Sequence, residues 1–413
     1  MQILLFILVV GAAHGVFLGV LLLGRKVNTM ANRVLATAMI ALAIFLMEAV
    51  YYGAEGFRAT TAFIGMSEPL IFVFGPILYL YALIVMRGGQ EFKRGYLLHF
   101  IPALLVLLYD SQVYFASHAF KLAFIEHMMA GDFPLDQRII GYAKHIHGCV
   151  YAVLTVMLLR RHARAIRNTH SSIERINLRW LRHLTVGLVL IWAFALFNFV
   201  LYEMGIALTN TPISLTPFAV AIFIYAIGYL GLRQPEIFHA DTLAILRDLN
   251  TDISATEHPS TPRSADPQQL NTAPQETPTT AAYRKSGLDD FRAQDLRQQL
   301  EDFMRAEEPW RNPNLTLSEL AQALDVTAHN LTEVINTRFG KNFYDFVNAY
   351  RVAEVRRLLQ DPATQHLTIL AVAFDAGFNA KSTFNTIFKK HVGKTPSQVR
   401  REASVEAVSS AER

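Results

Sequence analysis

A single cysteine, Cys149, in 413 residues excludes any intramolecular disulfide and leaves no thiolate set for a structural metal. Charge is scarce too. Asp, Glu, Lys and Arg make up 17% of the chain, against about a quarter in ordinary soluble domains. The formal balance of +4 is too small to mark a nucleic-acid binder by itself. Catalytic signatures are missing: H-E-x-x-H, G-x-S-x-G and a Gly-rich nucleotide loop do not occur. Gly393-Lys394-Thr395 fails as the end of a phosphate loop, because the glycine required at 388 is Phe388. These absences argue against an enzyme and against a metal- or disulfide-held fold, and no cofactor is expected.

What is present is apolar, and unevenly spread. Nearly all of the excess lies before Arg233. Crossing a bilayer core takes about 20 apolar residues at a helical rise of 1.5 Å. Seven segments qualify: roughly 3–23, 34–54, 68–86, 95–113, 138–159, 184–205 and 214–232. Asp110 and Gln112 shorten the fourth. Met1 to Leu23 has no basic leader and no small-x-small cleavage site, so it reads as a retained spanning helix. Lys and Arg crowd the odd-numbered loops: Arg25, Lys26 and Arg33, then Arg87, Lys93 and Arg94, then Arg160, Arg161, Arg164, Arg167, Arg175, Arg179 and Arg182. The even loops are nearly bare or mixed. Positive charge stays on the cytoplasmic side, so the N-terminus faces outward and everything after Arg233 lies in the cytoplasm.

Under this topology Glu48, Glu68, Asp110, Lys144, His145, His147, Asn198 and Glu203 fall in the outer halves of their helices. Ionisable groups there are costly and mark a cavity or pathway. Glu48, Glu68, Lys144, His145, His147 and Glu203 therefore outline a signal pocket, with Lys144 and the histidines facing carboxylates or an anionic ligand. The alternative is helix-end solvation and helix–helix hydrogen bonding without a ligand. His145 and His147 are two apart, point to different helix faces and cannot jointly hold a metal. Pro76 and Pro102 are expected to kink their helices.

From about Thr251 to Ala282 the chain turns Pro-, Thr-, Ser- and Gln-rich and loses apolar periodicity, the pattern of a disordered linker. Some 32 such residues reach about 30 Å. Leu288 to Met304 then reads as an opening helix, with Leu288, Phe291, Leu296, Leu300 and Phe303 at helical spacing. Thr316-Leu317-Ser318-Glu319 is a capping box, and Asp325-Val326 makes a turn. Thr327 caps a second helix, Ala328 to Phe339, closed by Gly340. Two short helices across a tight turn, with Ala321 at their contact, form a helix-turn-helix. A long helix follows, Phe343 to Leu359, and the unit repeats. Thr368 caps Ile369 to Ala376, Gly377 turns, and Ala380 to His391 is the second candidate reader. Thr395-Pro396-Ser397-Gln398 is another capping box, with proline at the first helical position. Phe374, Phe378, Phe384 and Phe388 are expected in the core.

Residues 299–401 resemble the DNA-binding domain of the AraC/XylS family of bacterial transcription regulators. The resemblance rests on LSELAQALDVTAHNLTEVINTRFGKNFYDFVNAYRVAEVRRLL, on TILAVAFDAGFNAKSTFNTIFKKHVGKTPSQVR, and within these on Ala376–Phe378, Phe388-Lys389-Lys390 and Gly393–Pro396. It covers about a quarter of the chain. Some members carry several spanning helices instead of a cupin-like sugar-binding domain, and Gly75–Tyr81 and His99–Leu105 resemble those. The resemblance implies that both reader helices enter successive major-groove segments. Carried over, the base-facing positions are His329, Thr332 and Glu333 in the first reader and Lys381, Ser382 and Thr386 in the second. Lys381 suits guanine O6/N7, Glu333 suits cytosine N4, and Ser382 or Thr386 serves several bases. Glu333 departs from the basic residue of some relatives. Arg338, Lys341, Lys389, Lys390 and Lys394 suit phosphates.

The sequence thus predicts an all-α chain in four parts. Residues 1–235 form a seven-helix transmembrane sensor, and 236–284 a flexible linker. An AraC-type domain with two helix-turn-helix units spans 285–402, and 403–413 form a disordered tail. The expected protein is a multi-pass regulator of the bacterial inner membrane, sensing an unknown ligand outside and binding double-stranded promoter DNA inside. The bilayer, RNA polymerase and a second copy of the chain are further expected partners. The alternatives are a transporter or membrane enzyme with an autoregulatory DNA-binding domain, and a bundle that only tethers.

Overall fold

The computed structural model describes residues 2–26, 28–87, 92–129, 134–174, 176–204, 206, 215–232 and 289–411. The linker predicted at 236–284 lies outside the described residues. The fold is all-α: long apolar helices in the N-terminal half, shorter capped helices in the C-terminal part. The chain divides into two compact units. One comprises Met1–His162 with Leu178–Asn250, the other Ala163–Asn177 with Thr251–Arg413. The division sets 163–177 apart from the N-terminal part to which the sequence assigned them.

In the first unit, α1 (Gln2–Leu23), α2 (Thr29–Gly53) and α3 (Glu68–Met86) are followed by α4 (Ile101–Tyr114), α5 (His118–Met129), α6 (Leu135–Thr169), α7 (Arg179–Glu203) and α8 (Thr216–Leu232). Six of these regions are long and apolar enough to cross a membrane, and the seventh predicted span appears as a shorter apolar helix, Thr216–Tyr229. Gly11 and Gly15 on α1 let two neighbours approach closely. A Cβ on Gly11 would stand 3.0 Å from Ala221 Cβ, and one on Gly15 3.3 Å from the Met39 carbonyl. Small residues at such contacts let helix backbones approach closely. The remaining surface of α1 exposes Ile3, Phe6, Phe17 and Val20. Inside the helices, Thr155, Thr185 and Asn198 each donate to the carbonyl four residues earlier, so these polar groups need no outside partner.

One feature differs from expectation, and two loops carry helix on which the sequence reading was silent. Pro102 does not kink a helix: it occupies the first turn of α4, after a 3-10 run over Arg94–Phe100, where its missing N–H costs nothing. The fourth loop folds its own helix, α5. The fifth loop is mostly helical, because α6 runs on to Thr169 through a stretch free of Gly and Pro.

The second unit holds α9 (Asp290–Ala306), α10 (Leu317–Ala323), α11 (Ala328–Arg338), α12 (Phe343–Gln360), α13 (Ile369–Asp375), α14 (Lys381–Val392) and α15 (Pro396–Ala411). Its core gathers Leu300, Trp310, Leu320, Leu331, Phe346, Val355, Val372, Phe384 and Phe388 around α12. The buried face of α9 is Ala293, Leu296, Leu300 and Met304, one position out of step with Phe291, which is 80% exposed. Phe374 is also exposed, a correction to the core expected from the four phenylalanines; Phe378, Phe384 and Phe388 are buried. Where a disordered tail was predicted from 403, α15 continues to Ala411. From Ala403 on, its sequence has neither Gly nor Pro to stop it.

Candidate nucleic-acid interface and bundle cavity

Each reader helix follows a turn, and side-chain caps set the start of α11 and of the neighbouring helices α10, α13 and α15. The Thr316 hydroxyl accepts from the Glu319 amide, and the Glu319 carboxylate returns the bond to the Thr316 amide at 2.9 Å. Thr327 caps α11 through the Asn330 amide, and Thr368 caps α13 through the Ala371 amide. Thr395 and Gln398 exchange bonds at the start of α15. These local devices fix where α11 and the neighbouring helices begin.

On α11, His329 is exposed and Thr332 and Glu333 are half-buried; Asn336 extends the same helical stripe. The Thr332 hydroxyl donates to the Ala328 carbonyl at 2.7 Å. On α14, Lys381, Ser382 and Thr386 are exposed together with Asn385, which sequence reasoning overlooked. Asn385 lies four residues beyond Lys381, a spacing that places it on the same stripe, and an Asn there can pair with adenine N6/N7. Lys341 and Lys389 are exposed. Three other phosphate candidates carry intramolecular partners: Lys390 reaches Asp345 at 3.0 Å, Lys394 reaches Glu402 at 2.7 Å, and Arg338 pairs with Asp290. Exposed pairs of this kind contribute about 1 kcal/mol at most, so they exchange readily for phosphate.

The bundle unit contains a cavity of about 300 Å³ lined by Glu48, Glu68 and Asp110 together with Phe45, Tyr52, Tyr114 and Phe124. Glu48 is buried, accepting from the Ser67 amide at 2.8 Å and from the Tyr52 hydroxyl at 3.2 Å. Tyr114 closes one wall by donating to the Gly65 carbonyl at 2.8 Å. Of the six residues expected to outline a signal pocket, only Glu48 and Glu68 line this cavity. Lys144 is held by Glu68 at 3.1 Å. His145 Nδ1 donates to the Gly141 carbonyl and the ring stacks on Phe199, His147 packs against Phe72 and Tyr151, and Glu203 pairs with Arg138. The histidines and Glu203 fill helix contacts instead of a common pocket. Tyr52 and Tyr114 escaped sequence reasoning because aromatics within spans look the same whether they face a cavity or lipid.

The geometry of the C-terminal unit is that of two helix-turn-helix elements joined by one long helix. Residues 320–402 match the family described as "Helix-turn-helix domain". The Melibiose operon regulatory protein of Escherichia coli (strain K12) is 30% identical over 87 residues, 21% of this chain and 28% of that protein. The Probable transcription factor PqrA of Proteus vulgaris is 26% identical over 95 residues, 23% of this chain and 75% of that protein. The C-terminal domain is therefore an AraC-type helix-turn-helix domain, homologous to those of AraC-family regulators. The match spans just over a quarter of the length of the melibiose regulators. No solved structure matches the chain.

Proposed function

We propose that this protein is a membrane-bound, sequence-specific transcription regulator whose helical bundle senses a signal and whose paired readers bind promoter DNA in the cytoplasm. One observation carries the reading: a single chain joins two solvent-facing reader helices to six helices, among the described residues, that are long and apolar enough to span a bilayer. His329, Thr332, Glu333, Lys381, Ser382 and Thr386 read bases, and Arg338, Lys341, Lys389, Lys390 and Lys394 hold phosphates. The signal binds in the bundle cavity. Three carboxylates and four aromatic rings, against a lysine already held by Glu68, favour a small organic cation over the anion the sequence allowed. Such a ligand acts only by preferring one bundle state over another.

Mapping the chromosomal sites crosslinked to the full chain in cells tests the DNA half. The native chain is expected to give discrete sites, lost when His329, Thr332, Lys381 and Ser382 are all made alanine; unchanged sites would overturn it. Fusion of a cytoplasm-only reporter after Arg413 tests the topology, and a silent reporter would refute it.

A further inference from the structure

Residues 170–174 lie between two apolar helices in sequence, yet they belong to the C-terminal unit. His170 forms a β-bridge with Thr316, the cap of α10, and the Ser171 amide donates to the Leu315 carbonyl at 3.1 Å. The Ser171 carbonyl accepts from Arg351 Nη1 at 3.1 Å and from Asn348 Nδ2 at 3.3 Å, and its hydroxyl oxygen accepts from Arg351 Nη2 at 3.0 Å. Arg351 and Ser171 are 2% and 1% exposed. The remaining backbone acceptors of Arg351 are the carbonyls of Trp310 and Asn312, each at 2.8 Å. Withdrawing Ser171 would strip partners from both terminal nitrogens of a buried cation, so the contact is a specific fit and not a brush of surfaces.

The next residue reaches the second reader. Asn379 Nδ2 donates to Ser172 Oγ at 2.7 Å, and the Ser172 hydroxyl in turn donates to the Glu174 carboxylate. Asn379 precedes Lys381 by two residues, at the N-terminal end of α14. That is the end of a recognition helix that meets base edges. A seryl side chain and a carboxylate there stand where the duplex would bring its own negative charge.

We propose that segment 170–174 is an intramolecular inhibitor: docked through Ser171 on Arg351, it stands beside the solvent-exposed leading edge of the second reader, and its Glu174 carboxylate opposes the approach of DNA. This rests on the DNA-binding reading above.

The test uses the full chain in nanodiscs, with Cys149→Ser to remove the native thiol and Ser172→Cys with Asn379→Cys to lock the contact. The probe is a duplex selected from a random pool by the reduced protein. Mild oxidation is expected to form the disulfide without DNA and to weaken duplex binding at least tenfold, reversibly with reductant. Ser171→Arg, which sets a second guanidinium against Arg351, is expected to release the segment and tighten binding at least tenfold over the native chain. No disulfide, or equal affinity in both redox states, overturns the inhibitor. Loss of duplex binding in every variant and state, with the disulfide still forming, overturns the DNA-binding reading and the inhibitor with it.

Discussion

The two helix-turn-helix units use one turn geometry and differ in what surrounds it. In the first, the Val326 amide donates to the Ala321 carbonyl and the Asp325 amide to the Gln322 carbonyl; in the second, Phe378 donates to Ala373 and Gly377 to Phe374. Asp325 and Gly377 hold the same left-handed place, at φ 54° and 85°. The first turn tolerates a side chain there. The second does not, because a Cβ on Gly377 would lie 2.4 Å from the Trp310 carbonyl oxygen, the same oxygen that accepts from Arg351. Beside it, Arg311 donates to the Asp375 carbonyl and is held in turn by Glu354. The reader caps differ too: Thr327 caps α11 with its side chain, whereas Ala380 before α14 makes no such bond. The first turn stands on its own local chemistry, while the second leans on distant parts of the domain.

The sharpest way to break that contrast is Gly377→Ala. Backbone cannot yield as a flexible side chain would, and the left-handed conformation adds its own penalty, so the domain should lose about 3 kcal/mol of stability. Denaturant melts of the domain and its Asp325→Ala counterpart measure it; equal losses would erase the distinction. Next comes base reading. Lys381→Ala should cost roughly 1–3 kcal/mol in affinity and relax sequence preference, whereas Lys341→Ala should weaken all duplexes alike and reduce the salt slope by about 1. Titrations at several salt concentrations separate the two. The caps rank third. Thr327→Ala should cost about 1 kcal/mol, and Ala380→Ser should return part of that at the other reader.

These differences were unevenly legible beforehand. Caps at Thr316, Thr327, Thr368 and Thr395 follow from residue types a few positions apart, and the structure carries each bond. The apolar segments were equally plain, since length and hydropathy are local properties. What escaped was nearly every contact between positions remote in sequence, the pairing of Lys144 with a carboxylate apart. Nothing near Ser171 announces Arg351, 180 residues away. The periodicity that placed Phe291 and Phe374 inside cannot tell which edge of an apolar stripe its neighbours cover. Ionisable residues in the spans could be found by composition, but whether each meets a cavity, a lysine or a helix carbonyl depends on packing. Glu48 and Glu203 looked alike in sequence and ended in different surroundings.

The smallest expected effect concerns the ion cluster beside the second turn, and its sign follows from one carboxylate. The Arg357 hydrogen bond, reinforced by the charges of Arg357 and Arg311, outweighs burial and holds Glu354 below the usual glutamate range. A depressed folded pKa means the unfolded chain binds the proton more readily, so the stabilisation is complete above the ordinary glutamate value and fades as pH falls through the lower folded one. Glu354→Gln should therefore destabilise the domain near pH 7 and cease to matter in acid. Because Arg311 would lose its clamp on the Asp375 carbonyl, amides around the second turn should exchange faster while those around Asp325 stay as they were. Hydrogen exchange at both turns reads this directly. Equal acceleration at the two would mean that the clamp steadies the whole domain instead of the turn it touches.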